Sequence, residues 1–253
     1  MRFARFSIAR GAPRHGIVEG DAVVEIEGDI FGRFGATSKI HALTEIDFLP
    51  PVVPSKIVAV GVNFAEHAAE MKKSAADEPR IFLKPPSALL GHKGTILLPE
   101  VPGPIEHEAE VALVIGKPAR DVPERRALDY VFGFTCFNDV TARALQHKDV
   151  VYARAKGFDT FAPAGPWIES DAIWEDMLLR CLVNGRERQR GALAKMIFGV
   201  PQVVAFVSRV MTLLPGDMIS LGTPAGVGPL VEGDKVQVVV DEIGVLENEV
   251  GVR

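Results

Sequence analysis

Two cysteines, Cys136 and Cys181, are all that 253 residues contain. Two thiols make neither the disulfide framework of a secreted domain nor a thiolate zinc site. Each stands among apolar neighbours (Phe134 and Phe137; Leu179 and Leu182), which marks both as small core hydrophobes. Long hydrophobic runs are missing too: none approaches the ~18 apolar residues of a membrane helix. The N-terminus, MRFARFSIAR, is interrupted by charge too often for a signal-peptide core. The expected location is the cytoplasm. Nor is there an excess of basic residues. The formal net charge is −5 and the pI about 5.7, which argues against nucleic acid or an anionic membrane as partner. A small anionic substrate stays compatible, because local cations override the global sign. Internal repeats and low-complexity tracts are absent.

What is present reads as an α+β, mostly β protein. Hydrophobic residues make up 47%, enough for a real core. HGIVEGDAVVEIEGDIF predicts two or three strands joined by Glu-Gly-Asp turns. LPPVVPSK, with three prolines in five residues, predicts an extended linker. The boundary falls there, giving a small β-rich domain over residues 1–52 and a larger one over 53–253. KIVAVGVNF predicts a buried strand, and FAEHAAEMKKSAADE a helix with a weak apolar stripe, suited to a surface or a lid. RIFLKPPSALLG predicts a strand running into a Pro-Pro turn, and Asn184-Gly185 a hairpin. Val200, Val203, Val204, Val207, Val210 and Leu214 recur at helical spacing, with Pro201 in the first turn and Pro215-Gly216 as the stop. Strands do not alternate regularly with helices, which excludes a doubly wound sheet.

The sharpest local feature is IEHEAEVALVIG. In a strand, Glu106, Glu108 and Glu110 share one face, and the chain turns apolar on both faces after Glu110. Two like charges ~4 Å apart cost roughly 4 kcal/mol at an effective dielectric of ~20. Protonation, basic partners or a metal must offset that. A second apolar run, VFGFTCFND, also ends in a carboxylate, Asp139. Three carboxylates without thiolates select a hard cation, Mg²⁺, Mn²⁺ or Ca²⁺, with positions open for water and substrate. HEAEV is not a zinc-protease motif, since Val occupies position 111. GTPAGVGP lacks the Lys-Ser/Thr of a phosphate loop, but suits a tight loop close to a ligand.

HEAEVALVIGK, FNDVTAR, RAKGFDTFAPAGPW, LPGDMISLGTPAGVG, GVNFAEHAAEM and FLKPPSALLG, in their spacing, resemble the signature blocks of the fumarylacetoacetate hydrolase superfamily. The resemblance runs from about Val58 to the end, and the first fifty residues resemble the short N-terminal domain of smaller members. It implies a mixed β-roll catalytic domain, a homodimer, and Mg²⁺ or Mn²⁺ held by Glu108, Glu110 and Asp139. It implies a small 2-oxo or 1,3-dioxo acid as substrate, acted on through a metal-held enolate. The leading expectation is C–C hydrolysis or decarboxylation of an acylpyruvate- or oxaloacetate-like acid. Isomerisation of a 2-hydroxymuconate-type compound, or metabolite binding without catalysis, is the alternative. Lys156 matches the active-site lysine of such members and His67 with Glu70 a water-orienting dyad. Arg143, Gln146 and Thr223 are implied substrate contacts, Thr223 as a donor to the substrate carboxylate, and Lys84 is grouped with them. Were the segment helical, Asp139, Arg143 and Gln146 would share a face. His67 and Glu70 would reach the metal only when segment 64–79 closes. Loss of His67 would then abolish hydrolysis but spare simple tautomerisation. Phe64 where Tyr is common, Ala144 after Arg143, and Val62 depart from the pattern.

Overall fold

The computed structural model describes residues 1–72 and 77–253. Its framework is mostly β. Among the described residues one sheet of twelve strands carries two faces of core. Its main path runs Phe34–Ala42, Ala22–Gly28, Arg14–Glu19, Arg2–Ser7, Ala162–Glu169, Val131–Asn138, Ala109–Ile115, Met218–Ser220, Ile57–Gly61 and Arg80–Lys84. The strands of the first fifty residues thus continue the sheet through Arg2–Ser7, which pairs antiparallel with Ala162–Glu169. Almost every pairing is antiparallel, while Met218–Ser220 and Ile57–Gly61 run parallel. A five-stranded sheet packs over it, ordered Arg186–Ala192, Leu178–Val183, Lys235–Val240, Gly244–Val252 and Thr95–Leu98.

Strand Ala109–Ile115 shows why the sequence there is apolar without alternation. Val111, Leu113 and Ile115 enter the core shared with the five-stranded sheet. Ala112 and Val114 enter a second core with Ile57, Phe137, Ile168 and Met218. A strand buried on both faces needs apolar side chains on both. Helix Val200–Val210 closes the first core with Val200, Val203, Val204 and Val207. Each fully buried valine contributes roughly 1.5–3 kcal/mol. The helix ends one turn before the expected stop. Met211 is already extended, and Val210 and Leu214 are 56% and 43% exposed. The Asn184-Gly185 hairpin forms as expected, both residues at positive φ (52° and 74°). Both cysteines are buried and free. No helix among the described residues is long and apolar enough to cross a membrane.

Two elements near the site differ from expectation. The helix predicted over residues 64–78 is short, Ala65–Glu70, and residues 73–76 lie outside those described. It is also anchored, because Phe64, His67 and Ala68 are buried. The second difference is a break in the glutamate strand. Ile105–His107 belongs to a small three-stranded sheet and Ala109–Ile115 to the large one, so the strand stops at Glu108.

Candidate active site

The break at Glu108 builds the site. The Glu108 amide donates to the Asn138 side chain (3.1 Å) instead of to a neighbouring strand. Its carbonyl accepts from the Asp139 amide (2.8 Å). Those two bonds lock the ends of the two acidic strands together. Ligand oxygens of Glu108, Glu110 and Asp139 consequently lie within 4.8 Å of one another, all three residues buried. They open into a cavity of about 60 Å³ that His67, Arg143, Gln146, Lys156 and Thr223 also line. Residues far apart in the chain thus meet in one place.

The charges there alternate in a chain. Glu106 accepts from Arg143 Nε (2.6 Å), and Arg143 Nη2 donates to Glu108 Oε1 (2.5 Å). Lys156 Nζ bridges Glu108 Oε2 (2.7 Å) and Asp139 Oδ2 (2.6 Å). Lys84 Nζ completes it at Asp139 Oδ1 (2.5 Å). Burial pushes the Glu108 carboxyl up, but Lys156 and Arg143 outweigh it, and the group falls well below the ordinary range. Burial likewise lowers Lys156, yet Asp139 and Glu108 hold its ammonium protonated above the usual lysine value.

Glu110 stands outside this chain. Its Oε2 accepts from the Ser220 hydroxyl and the Gly222 amide (2.9 Å), with no cation bonded to it among the described residues. Burial first, then Asp139 and Glu108, push it up to about 8. A buried carboxyl with only neutral donors bonded to it, beside two other carboxylate oxygens, fits a divalent cation. All-oxygen donors suit a hard ion.

The supporting groups are partly ones that sequence patterns do not mark. Gly222 must be glycine: its φ is +94°, and a Cβ there would lie 2.8 Å from the Asn63 Cβ. Asn63 is fully buried and bonds Phe198 in both directions and the Leu221 carbonyl (2.8 Å). It fixes the start of the helix that carries His67. Gln189 is the second such group. Its Oε1 accepts from the Ala109 amide (3.0 Å) and its Nε2 donates to the Pro224 carbonyl (2.8 Å), so backbone groups at both ends fix the amide orientation. It also meets His107 Nδ1 (2.9 Å) and donates to Thr223 Oγ1 (2.7 Å). Only an exposed-looking arginine-rich strand, RERQRG, hinted at Gln189; alternation would have turned it inward.

Several expected site residues are placed differently from expectation. Lys84 does not line the cavity; it sits fully buried behind Asp139 as its counter-ion. The Thr223 hydroxyl donates to the Ala109 carbonyl (2.7 Å) and accepts from Gln189, so its proton is committed to protein. It offers the cavity a lone pair, not the donor expected for a carboxylate. Asp139 is not helical with Arg143 and Gln146, since Thr141–Ala142 intervenes as a strand; the helix is Arg143–Lys148. Within it Arg143 Nη1 donates to Gln146 Oε1 (2.5 Å). His67 already lines the cavity, so no closure is needed to bring it there. Its Nδ1 meets Glu70 Oε2 (3.0 Å), whose Oε1 accepts from the Gly226 amide (3.0 Å). Glu70 therefore orients the ring, and Nε2 is the nitrogen left for the cavity.

Comparison with known proteins matches two family models along the chain. The family described as fumarylacetoacetate (FAA) hydrolase C-terminal matches residues 56–251, and Rv2993c-like, N-terminal matches residues 1–51. The chain is similar to a solved 5-carboxymethyl-2-hydroxymuconate delta-isomerase from Mycobacterium smegmatis, 42% identical over all of both chains with a TM-score of 0.94. It is similar to a mitochondrial oxaloacetate tautomerase of Arabidopsis thaliana, 43% identical across 72% of this chain and 84% of that protein. It is also similar to a maleylpyruvate hydrolase from Sphingobium, solved with manganese(II) and pyruvate. That match is 31% identical over 100% of this chain and 99% of the other, with a TM-score of 0.84.

Proposed function

The chain belongs to the fumarylacetoacetate hydrolase family of enzymes, and from that premise we propose that it interconverts the keto and enol forms of a small 2-oxo acid. One observation carries the proposal: His67 and the Glu108–Glu110–Asp139 cluster line the same small cavity. The carboxylates would hold a divalent cation, which we assign as Mg²⁺, with Mn²⁺ or Ca²⁺ able to replace it. That ion supplies Lewis-acid polarisation of the 2-oxo group, which makes the neighbouring carbon acidic.

The protein's own groups do the rest. Lys156, held protonated between Glu108 and Asp139, adds fixed positive charge where negative charge develops on oxygen. A lysine so held is a poor base. Imidazole can both accept and donate a proton, and His67 lines the cavity with Nδ1 held by Glu70, so His67 is the group we assign to take and return the proton at carbon, with Glu70 stabilising the imidazolium. Arg143 and Gln146 close the cavity wall beside the carboxylates and orient the acid group of the substrate. Lys84 holds Asp139 in place from behind. This assignment makes tautomerisation, too, depend on His67. C–C hydrolysis is the second reading, favoured by the likeness to a maleylpyruvate hydrolase. There the same dyad would orient a water. We further assign residues 1–52 and 53–253 to separate domains, and a homodimer as the working assembly.

The test follows loss of the enol absorbance of freshly dissolved oxaloacetate, with pyruvate release measured in parallel. Metal-dependent enol loss without pyruvate supports the tautomerase. Pyruvate or acylpyruvate cleavage at a comparable rate would replace it with the second reading. Neither activity, with Mg²⁺ bound, would defeat both.

A further inference from the structure

We infer that Arg80 reads the distal carboxylate of the substrate, so that the site selects short dicarboxylic 2-oxo acids over monocarboxylic ones. The inference rests on the proposed reading of the cavity as the substrate site. Strand Arg80–Lys84 turns alternate side chains to one face, so Arg80, Phe82 and Lys84 point the same way. Lys84 reaches Asp139, which lines the inner end of the cavity, from behind. Phe82, midway, lies under the Lys156 ammonium (5.1 Å) and meets Tyr152 edge-on (5.5 Å, 79°). Arg80 is four residues from Lys84, about 13 Å along the strand, and lines the outer part of the same cavity.

Its surroundings distinguish it from the other cations of the site. Lys84, Arg143 and Lys156 each hold a carboxylate at 2.5–2.7 Å. Arg80 is exposed and has no carboxylate partner among the described residues. Directly opposite it in the sheet is Gly61, which also lines the cavity. A Cβ at position 61 would meet the Arg80 carbonyl oxygen (3.7 Å) and the Phe82 ring (3.8 Å), so glycine keeps this wall of the cavity low beside Phe82. An exposed guanidinium fork lining the cavity without a carboxylate of its own is suited to bidentate capture of one. The aromatic pair Phe82–Tyr152 lies between the two charged ends and suits the short carbon chain that joins them.

The experiment measures binding, not turnover. Wild-type full-length protein loaded with Mn²⁺ is titrated with oxalate, and oxalate is then displaced by pyruvate or by oxaloacetate. The same is done for Arg80→Met and Arg80→Lys. Arg80→Met is expected to weaken oxaloacetate at least about tenfold, with oxalate and pyruvate changed less than about twofold. Arg80→Lys should recover part of the loss, because it restores charge without the fork. Equal loss for all three ligands, or no loss for oxaloacetate, would overturn the role of Arg80 while leaving the cavity as the substrate site. Failure of the wild type to bind oxalate at all would overturn the substrate-site reading, and this inference with it.

Discussion

Metal binding to this protein should expel a proton, and the proton should come from Glu110. The group has an ordinary value of 4.5 and is pushed up to about 8 by burial and by its neighbours Asp139 and Glu108. A raised carboxyl contributes stability that is complete below 4.5 and is lost as pH rises through about 8. The metal-free protein therefore carries a penalty that grows by about 1.4 kcal/mol per pH unit across that window, roughly 5 kcal/mol in all. Glu108 has the opposite sign. Its value is depressed, so its contribution is present above the ordinary carboxylate range and lost only in acid. A divalent ion needs Glu110 ionised. Below pH 8 its apparent affinity should thus rise about tenfold per pH unit, or roughly 100-fold between pH 6 and pH 8, and then level off. Mn²⁺ titration calorimetry at pH 6.5, in two buffers of different ionisation enthalpy, counts the proton directly. Glu110→Gln should bind more weakly and lose the pH slope. His67→Asn, which removes the imidazole lining the same cavity, should keep it. A flat affinity from pH 6 to 8, or no proton released, would refute the reasoning.

Other outcomes can be checked independently. His67→Ala should lower the tautomerisation rate by about 10² to 10⁴ while Mn²⁺ affinity stays within about threefold; an unchanged rate would return the proton transfer to another group. Lys84→Met leaves Asp139 with one buried cation instead of two. Urea unfolding of the metal-free protein should show a loss of about 3–5 kcal/mol, largely restored by adding Asp139→Asn. A loss below about 1 kcal/mol would show that the pair is not structural. Gln189→Leu strips partners from the Ala109 amide, the Pro224 carbonyl and His107 at once. At about 1–3 kcal/mol for each buried group left unpaired, it should destabilise more than Thr223→Val does.

Much of the framework was legible because it depends on local pattern. The continuous apolar run after Glu110 marked a strand buried on both faces, and the valine spacing marked the long helix. The Asn-Gly pair marked its hairpin. What failed locally failed where tertiary contacts override pattern. The segment after Phe64 looks weakly amphipathic, yet Phe64 bridges to Met196 and Asn63 bonds the 197–198 backbone, so the helix is pinned from outside. The end of the valine helix depends on Ala119 pairing with Leu213, which pulls the chain into extended conformation before the proline.

The three glutamates show the limit most clearly. Glu106, Glu108 and Glu110 are equivalent by alternation, and nothing local says that they will differ. Their fates separate because Asn138 takes the Glu108 amide and stops the strand there. Glu106 then faces Arg143 on the small sheet, and Glu108 sits between two cations. Glu110 is carried into the large sheet with only neutral donors. The cations arrive from positions 84, 143 and 156, and no sequence window includes them all. Carboxylate count therefore points to the kind of ion proposed, while cation placement decides which carboxylate is left without a positive partner. In this chain that carboxylate is Glu110. It is also the one whose amide donor, Gly222, cannot take a side chain without moving Asn63 and hence the helix of His67. The proposed metal ligand and the proposed proton carrier thus both depend on one glycine.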